Sequence, residues 1–157
     1  MNLQKRTNLL TLVLGVLIII LSYTLYRSLT DPYKVVLEQQ AITNEVRHRM
    51  ELVRDALVLY NSRKGDFPPT EGGLDTLVSF LKTDELMVQK ADSLLAFLPP
   101  AVYSADALIL SPRSSQRFIY TLNDSLRPNI YQLQDPDSDD KIGDLERTTL
   151  LNAPNWN

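Results

Sequence analysis

The sequence predicts an α+β protein. An N-terminal transmembrane helix, kinked near Pro32, continues into a long amphipathic helix that packs on a small antiparallel sheet. Three observations predict this. An uncharged run from Thr7 to Tyr26 is about as long as a membrane-crossing helix, roughly 20 residues. A stripe of apolar residues at steps of four and three follows it. Two short alternating segments, separated by turn residues, come last.

The elements follow in order. Residues 1–30 form the membrane anchor and residues 31–157 a domain outside the membrane. Lys5 and Arg6 precede the apolar run and Arg27 follows it. The run is long for a signal peptide and lacks an A-x-A exit, for which Ser28 and Thr30 are a poor substitute, so an uncleaved anchor is expected. The positive-inside rule favours a cytoplasmic N-terminus in an inner (cell) membrane, with the C-terminal domain periplasmic or otherwise extracytoplasmic. Gly15 permits close contact with another helix in the membrane. Thr30-Asp31-Pro32 then interrupts the helix, with Thr30 and Asp31 as caps for a restart. Beyond it Ile42, Val46, Met50, Val53, Leu57 and Tyr60 mark one helical face, to be covered by a sheet or a neighbouring helix. Glu38, Glu45, Arg47, Arg49 and Arg54 lie mostly off that face. Arg63 and Lys64 suit the negative end of the helix, Gly65 the C′ position, and Pro68-Pro69 forbid continuation.

Thr70-Glu71 opens a second helix with Leu74, Leu77, Val78 and Leu81 on one face. Glu85–Phe97 reads as a third, ending before Pro99-Pro100. Ala107–Leu110 is a short apolar run. Arg117–Asn123 and Asn129–Gln134 alternate as strands around the turn Asn123-Asp124-Ser125, which makes a hairpin.

Composition excludes several functions. Three of the 16 basic residues, Lys5, Arg6 and Arg27, precede Asp31, whereas all 19 acidic residues lie from Asp31 onward, leaving that part at −6. Such a balance does not suit nucleic acid, whose binding needs basic residues to neutralise phosphates. It also argues against an electrostatic clamp on anionic lipid. With one histidine and no cysteine, Cys/His nucleophiles, multi-histidine metal sites and disulfides are ruled out. His48 sits between Arg47 and Arg49 and reads as a solvated helix residue. Gly72-Gly73 has no following lysine at phosphate-loop spacing. Ser111, Ser114 and Ser115 have no paired base in view. No small-molecule substrate is expected, and an enzyme is the least favoured class.

The acidic run Asp135–Glu146, DPDSDDKIGDLE, carries the candidate site. Alternate oxygen ligands suit a hard cation, because a turning loop aims every second side chain inward. Asp135, Asp137 and Asp139 fill the first, third and fifth places of a calcium-loop pattern. The Lys141 carbonyl fills the seventh, Ile142 the eighth and Glu146 the twelfth. Asp140 stands where the pattern has glycine for a left-handed turn, a conformation Asp tolerates better than most residues. The competing reading is a solvated acidic turn. A bound Ca2+ would chiefly stabilise the fold.

Two segments carry a resemblance. Ala56-Leu57-x-x-Tyr60, then Gly65-x-Phe67-Pro68-x-Thr70-Glu71-x-Gly73-Leu74, resembles the major pseudopilins of type II secretion systems, a branch of the type IV pilin-like family. Those carry Ala-Leu-x-x-Tyr on the long helix, then Gly-x-Tyr-Pro-Thr and a Gly-Leu helix start. Asn129-Ile130-Tyr131-Gln132-Leu133, the acidic loop and the late Asn155-Trp156 are similar to that family's closing segment. The resemblance implies a pilin-like fold, a structural role in protein transport and calcium in the C-terminal acidic loop. In that family carbonyls do more of the ligation, which would bring in Asp144 and the Leu133 carbonyl. The N-terminus departs from the family. Its members have a glycine at the processing point and a glutamate inside the apolar helix; here Arg6 and Thr11 stand in those places. The expected partners are subunits of a membrane complex, further copies of the chain through the anchor and long helix, and membrane lipid. Two other readings stay open. One is a non-polymerising accessory subunit of another inner-membrane machine, with an intact Met1. The other is a calcium-dependent binding module.

Overall fold

A computed structural model describes residues 3–156. Met1, Asn2 and Asn157 lie outside the described residues, and with them the intact N-terminus expected of an accessory subunit and the last residue of the closing segment. The fold is α+β: a long N-terminal apolar helix and a small three-stranded antiparallel sheet. In chain order the elements are α1 (Leu3–Lys64), α2 (Gly73–Thr83), α3 (Glu85–Leu94), α4 (Ala105–Leu108), β1 (Ile119–Asn123), β2 (Ile130–Gln134) and β3 (Lys141–Gly143). A 3-10 turn over Thr148–Leu150 follows. The chain divides into two compact units, one ending at Ala41 and the other beginning at Ile42.

In the first unit α1 is long and apolar enough to cross a membrane. Its large apolar side chains from Leu9 to Leu37 are exposed. The helix continues past Pro32 as expected, with no restart at Thr30-Asp31-Pro32, since α1 runs through Pro32. Proline's fixed φ suits the α region. It removes the N–H that would reach the Ser28 carbonyl, and the helix continues on either side of that one gap. The two expected caps serve the continuous helix instead. Thr30 Oγ1 donates to the Tyr26 carbonyl at 2.9 Å, and Arg27 Nε pairs with Asp31 at 3.0 Å one turn on.

In the second unit the α1 stripe forms the spine of the core. Val46, Met50, Val53 and Leu57 have no solvent exposure. They join Leu77 and Leu81 of α2 with Tyr131, Leu133 and Ile142 of the sheet. Fully burying one such side chain contributes about 1.5–3 kcal/mol. Tyr60 meets Phe80 edge-on with ring centres 5.2 Å apart. Ile42, the first residue of the predicted face, remains exposed. α1 stops as its sequence dictates: Gly65 takes φ +85° and its N–H donates to the Asn61 carbonyl at 2.7 Å.

Thr70 does not open a helix; α2 starts at Gly73, after Gly72 in the left-handed region. The Thr70 hydroxyl turns to the sheet, accepting from the Leu122 N–H at 3.0 Å and donating to its carbonyl. It thereby satisfies part of the outer edge of β1. Tyr120 donates to the buried Pro68 carbonyl at 2.8 Å, which fixes the proline segment against the same strand. Asp84 caps α3 by accepting from the N–H groups of Leu86 and Met87. That helix ends at Leu94, three residues before the expected stop. β1 starts at Ile119, with Arg117 forming only an isolated bridge to Leu110. The predicted hairpin pairs Tyr120 with Leu133 and Leu122 with Tyr131. β3 is an additional strand, pairing Leu133 with Ile142.

Candidate functional site

The run Asp135–Glu146 is not one loop. Asp135–Asp140 turns the chain from β2 into β3, closed by the Asp135 N–H donating to the Asp140 carbonyl at 3.0 Å. Lys141-Ile142-Gly143 is strand, and a separate turn begins at Asp144. Three of the twelve places in the calcium-loop pattern therefore belong to a hydrogen-bonded ladder.

Each candidate residue has a definite position. Asp135 is buried; its Oδ2 accepts from Ser138 Oγ at 2.8 Å, and its Oδ1 is buried without a partner. Asp137 is exposed and accepts from the Ser114 hydroxyl. Asp139 is exposed, and its carbonyl accepts from Asn155 Nδ2 at 2.8 Å. Asp140 accepts from Arg47 through both oxygens, from Nε at 2.8 Å and Nη2 at 3.0 Å. It does not adopt the left-handed conformation expected of the sixth place; the positive φ in this run falls on Gly143. The carbonyl of Lys141, expected as a ligand, accepts from the Asn155 N–H at 3.0 Å, and the Lys141 N–H donates to Asn155 Oδ1. Ile142 is fully buried. Asp144 Oδ1 accepts from the N–H groups of Glu146 and Arg147 at 2.8 and 2.9 Å, and Oδ2 from the Arg147 side chain. Those backbone donors, with Arg147, hold the Asp144 carboxyl below its ordinary pKa. Glu146 is exposed. Among the described residues, no group of three or more His, Cys, Asp or Glu side chains is assembled to hold a metal.

The residues that organise the site were not among the candidates. Arg47, on α1, lies 93 positions from Asp140. Its guanidinium also stands 5.3 Å from the centre of the Trp156 ring. The hydrogen bonds that Arg47 donates to Asp140 raise the pKa of Arg47 further. The fork of a guanidinium matches the two oxygens of a carboxylate, so this pair fixes direction as well as charge. Asn155 bonds three backbone groups, the Asp139 carbonyl and both polar groups of Lys141. No local pattern reveals a pair so far apart. The resemblance of Asn155-Trp156 to a family ending was the single sequence signal near it.

Two neighbours on α1 also depart from expectation. Arg49, expected off the apolar face, is buried, with its guanidinium 3.6 Å from the Phe97 ring centre and Nη1 donating to the Ala107 carbonyl at 2.8 Å. Burial lowers its pKa, opposed by Glu45. Its position three after Val46 and four before Val53 places it on the core face. His48, expected in solvent, reaches the Ala96 carbonyl at 3.0 Å.

An open groove of about 530 Å3 runs between the end of α1 and the start of α3, lined by Tyr60, Arg63 and Asp84 among others. The Thr76, Ser79 and Thr83 hydroxyls along it donate to carbonyls of their own helix, at 3.0, 2.9 and 2.8 Å. Compared with protein-family models, curated proteins and solved structures, the chain has no match.

Proposed function

We propose that the protein is a membrane-anchored, pseudopilin-like structural subunit of a secretion or other envelope-spanning assembly. The observation that carries this reading is α1 itself, one helix that holds both the membrane-length apolar stretch and the buried spine of the second unit. A protein built this way serves to hold a folded surface at a membrane. The anchor stays uncleaved, with the N-terminus cytoplasmic and the second unit extracytoplasmic.

Within this reading, a fixed accessory subunit is favoured over a processed, filament-forming one. The family's membrane glutamate offers a charge to a neighbouring chain. Thr11, which stands in that place, donates its hydroxyl to the Thr7 carbonyl of its own helix at 3.0 Å. A threonine satisfied in this way supplies no charge to attract an N-terminal amine. The reading does not depend on calcium.

Two measurements on native membranes test it. Alkaline extraction should leave the protein in the membrane pellet with the apolar stretch of residues 7–26 still joined to the second unit. Blue-native electrophoresis after detergent solubilisation should then give one larger species of fixed size with stoichiometric partners. A soluble product shortened near Thr30 would overturn the anchor. A free monomer would overturn the subunit role, and a ladder of self-assemblies would restore the filament reading.

A further inference from the structure

We propose that Arg47 is the resident cation of the acidic turn and takes the place of the calcium ion that the sequence pattern suggests. Four carboxylates, Asp135, Asp137, Asp139 and Asp140, crowd into six positions and repel one another unless positive charge is supplied. Arg47 supplies it from α1. The guanidinium meets Asp140 through two hydrogen bonds at 2.8 and 3.0 Å. The Asp140 side chain is 13% exposed and the Arg47 side chain 34%, so the pair is only partly shielded from the screening that weakens surface ion pairs. Trp156 lies against the same guanidinium, and Asn155, next to it, ties Asp139 and Lys141. The turn is thus fastened to α1 on one side and to residues 155–156 on the other.

Three members of the calcium-loop set are already committed elsewhere. The seventh-place carbonyl of Lys141 accepts from a backbone N–H, Asp140 is held by Arg47, and both oxygens of Asp144 serve their own turn. Asp135 Oδ1 is the buried oxygen of the set without a partner. The exposed Asp137, Asp139 and Glu146 are not gathered with it, among the described residues, into a group that could hold a metal, whereas calcium takes roughly six to eight oxygen ligands. A tethered guanidinium differs from a bound ion in a further respect. It is charged at every physiological pH and does not depend on the concentration of a free ligand.

The test is thermal unfolding of the full chain in detergent, followed by Trp156 fluorescence, with millimolar calcium or with a chelator. The wild-type midpoint should be the same in both within about a degree, and Arg47→Ala should lower it by about 5 °C. Asp140→Asn should lower it similarly, and the double variant should fall little further than either single one, because both remove the same pair. If Arg47→Ala does not fold, Arg47→Lys keeps the charge and loses the fork, and it should melt measurably below wild type. A wild-type midpoint raised several degrees by calcium would overturn the proposal. So would an Arg47 variant that melts with the wild type.

Discussion

Gly143→Ala should be among the most damaging single-methyl changes in the second unit. Gly143 ends β3 with φ +85°, where an L side chain costs about 1–2 kcal/mol. Conformation is the smaller part of the cost. A Cβ built there would fall deep inside the van der Waals envelope of the Tyr131 carbonyl oxygen and 3.0 Å from the Leu151 carbonyl oxygen. Both obstacles are backbone and cannot swing aside as a side chain would. The end of β3 must therefore lift from β2. Lifting breaks into the adjoining Leu133–Ile142 pairing, about 1 kcal/mol for a backbone bond lost, and partly exposes Ile142, whose full burial contributes about 1.5–3 kcal/mol. The sum is about 3–5 kcal/mol, a large fraction of a typical stability of about 5–15 kcal/mol. At about 2–4 °C per kcal/mol the midpoint should fall by about 10 °C. The assay is thermal unfolding followed by Trp156 fluorescence, since the helical signal of α1 would dominate far-ultraviolet circular dichroism. Gly65→Ala is the control: its φ is also +85°, but nothing lies within 4 Å of its Cβ position, so it should lose only about 1–2 kcal/mol. Equal losses in the two variants would refute the steric argument.

Other outcomes follow from the same geometry. Arg49→Met keeps the bulk but loses the charged hydrogen bond to Ala107 and the stacking on Phe97. Relief of the buried charge offsets part of that, leaving a loss of about 2 kcal/mol in denaturant unfolding. An unchanged midpoint would mean that the two effects cancel. Thr70→Val leaves the Leu122 N–H of β1 without its 3.0 Å partner and should cost about 1 kcal/mol, with faster amide exchange at Leu122. Asp144 titrates below its ordinary value of 3.8 in the folded chain, so its stabilisation is complete above that pH and is lost as pH falls through the lowered value. Asp144→Asn should therefore differ from wild type at neutral pH and converge with it only in acid; convergence near neutrality would contradict the assignment. Burial raises the Tyr120 and Tyr131 hydroxyls well above their ordinary value of 10. The stability from keeping them neutral is present below pH 10 and is lost as pH rises beyond it. In an alkaline titration of tyrosinate absorbance these two should ionise after the exposed tyrosines, and a single step near pH 10 for all seven would disprove it.

The elements readable in the sequence are those whose signals are local. The α1 stripe from Val46 to Leu57, the stop at Gly65 and the hairpin each depend on residues within one or two turns of each other. The restart capped by Thr30 and Asp31 did not appear, because a proline within a long helix can cost a single hydrogen bond rather than an ending. Thr70 has the sequence of a helix opener, but its hydroxyl serves a strand 52 positions away. β3 was hidden because Lys141-Ile142-Gly143 is too short to alternate and lies inside a run whose aspartates suggest a loop. Its strand character comes from Leu133 and from residues 153–155 on either side. The same cause hid the role of Arg47. A charged residue beside an apolar stripe looks solvated until the turn that it meets is placed against it.

The outer edge of β3 has consequences for the order in which the second unit is completed. Its partners are not a neighbouring strand but residues 153–155, which pair with Lys141, Ile142 and Gly143. While the chain is being made, a ribosome that has extruded residues up to Arg147 has delivered all three strands. It has not delivered the segment that covers the last edge. Until about ten more residues emerge, Ile142 sits beside open backbone groups of the kind that recruit a stranger's strand.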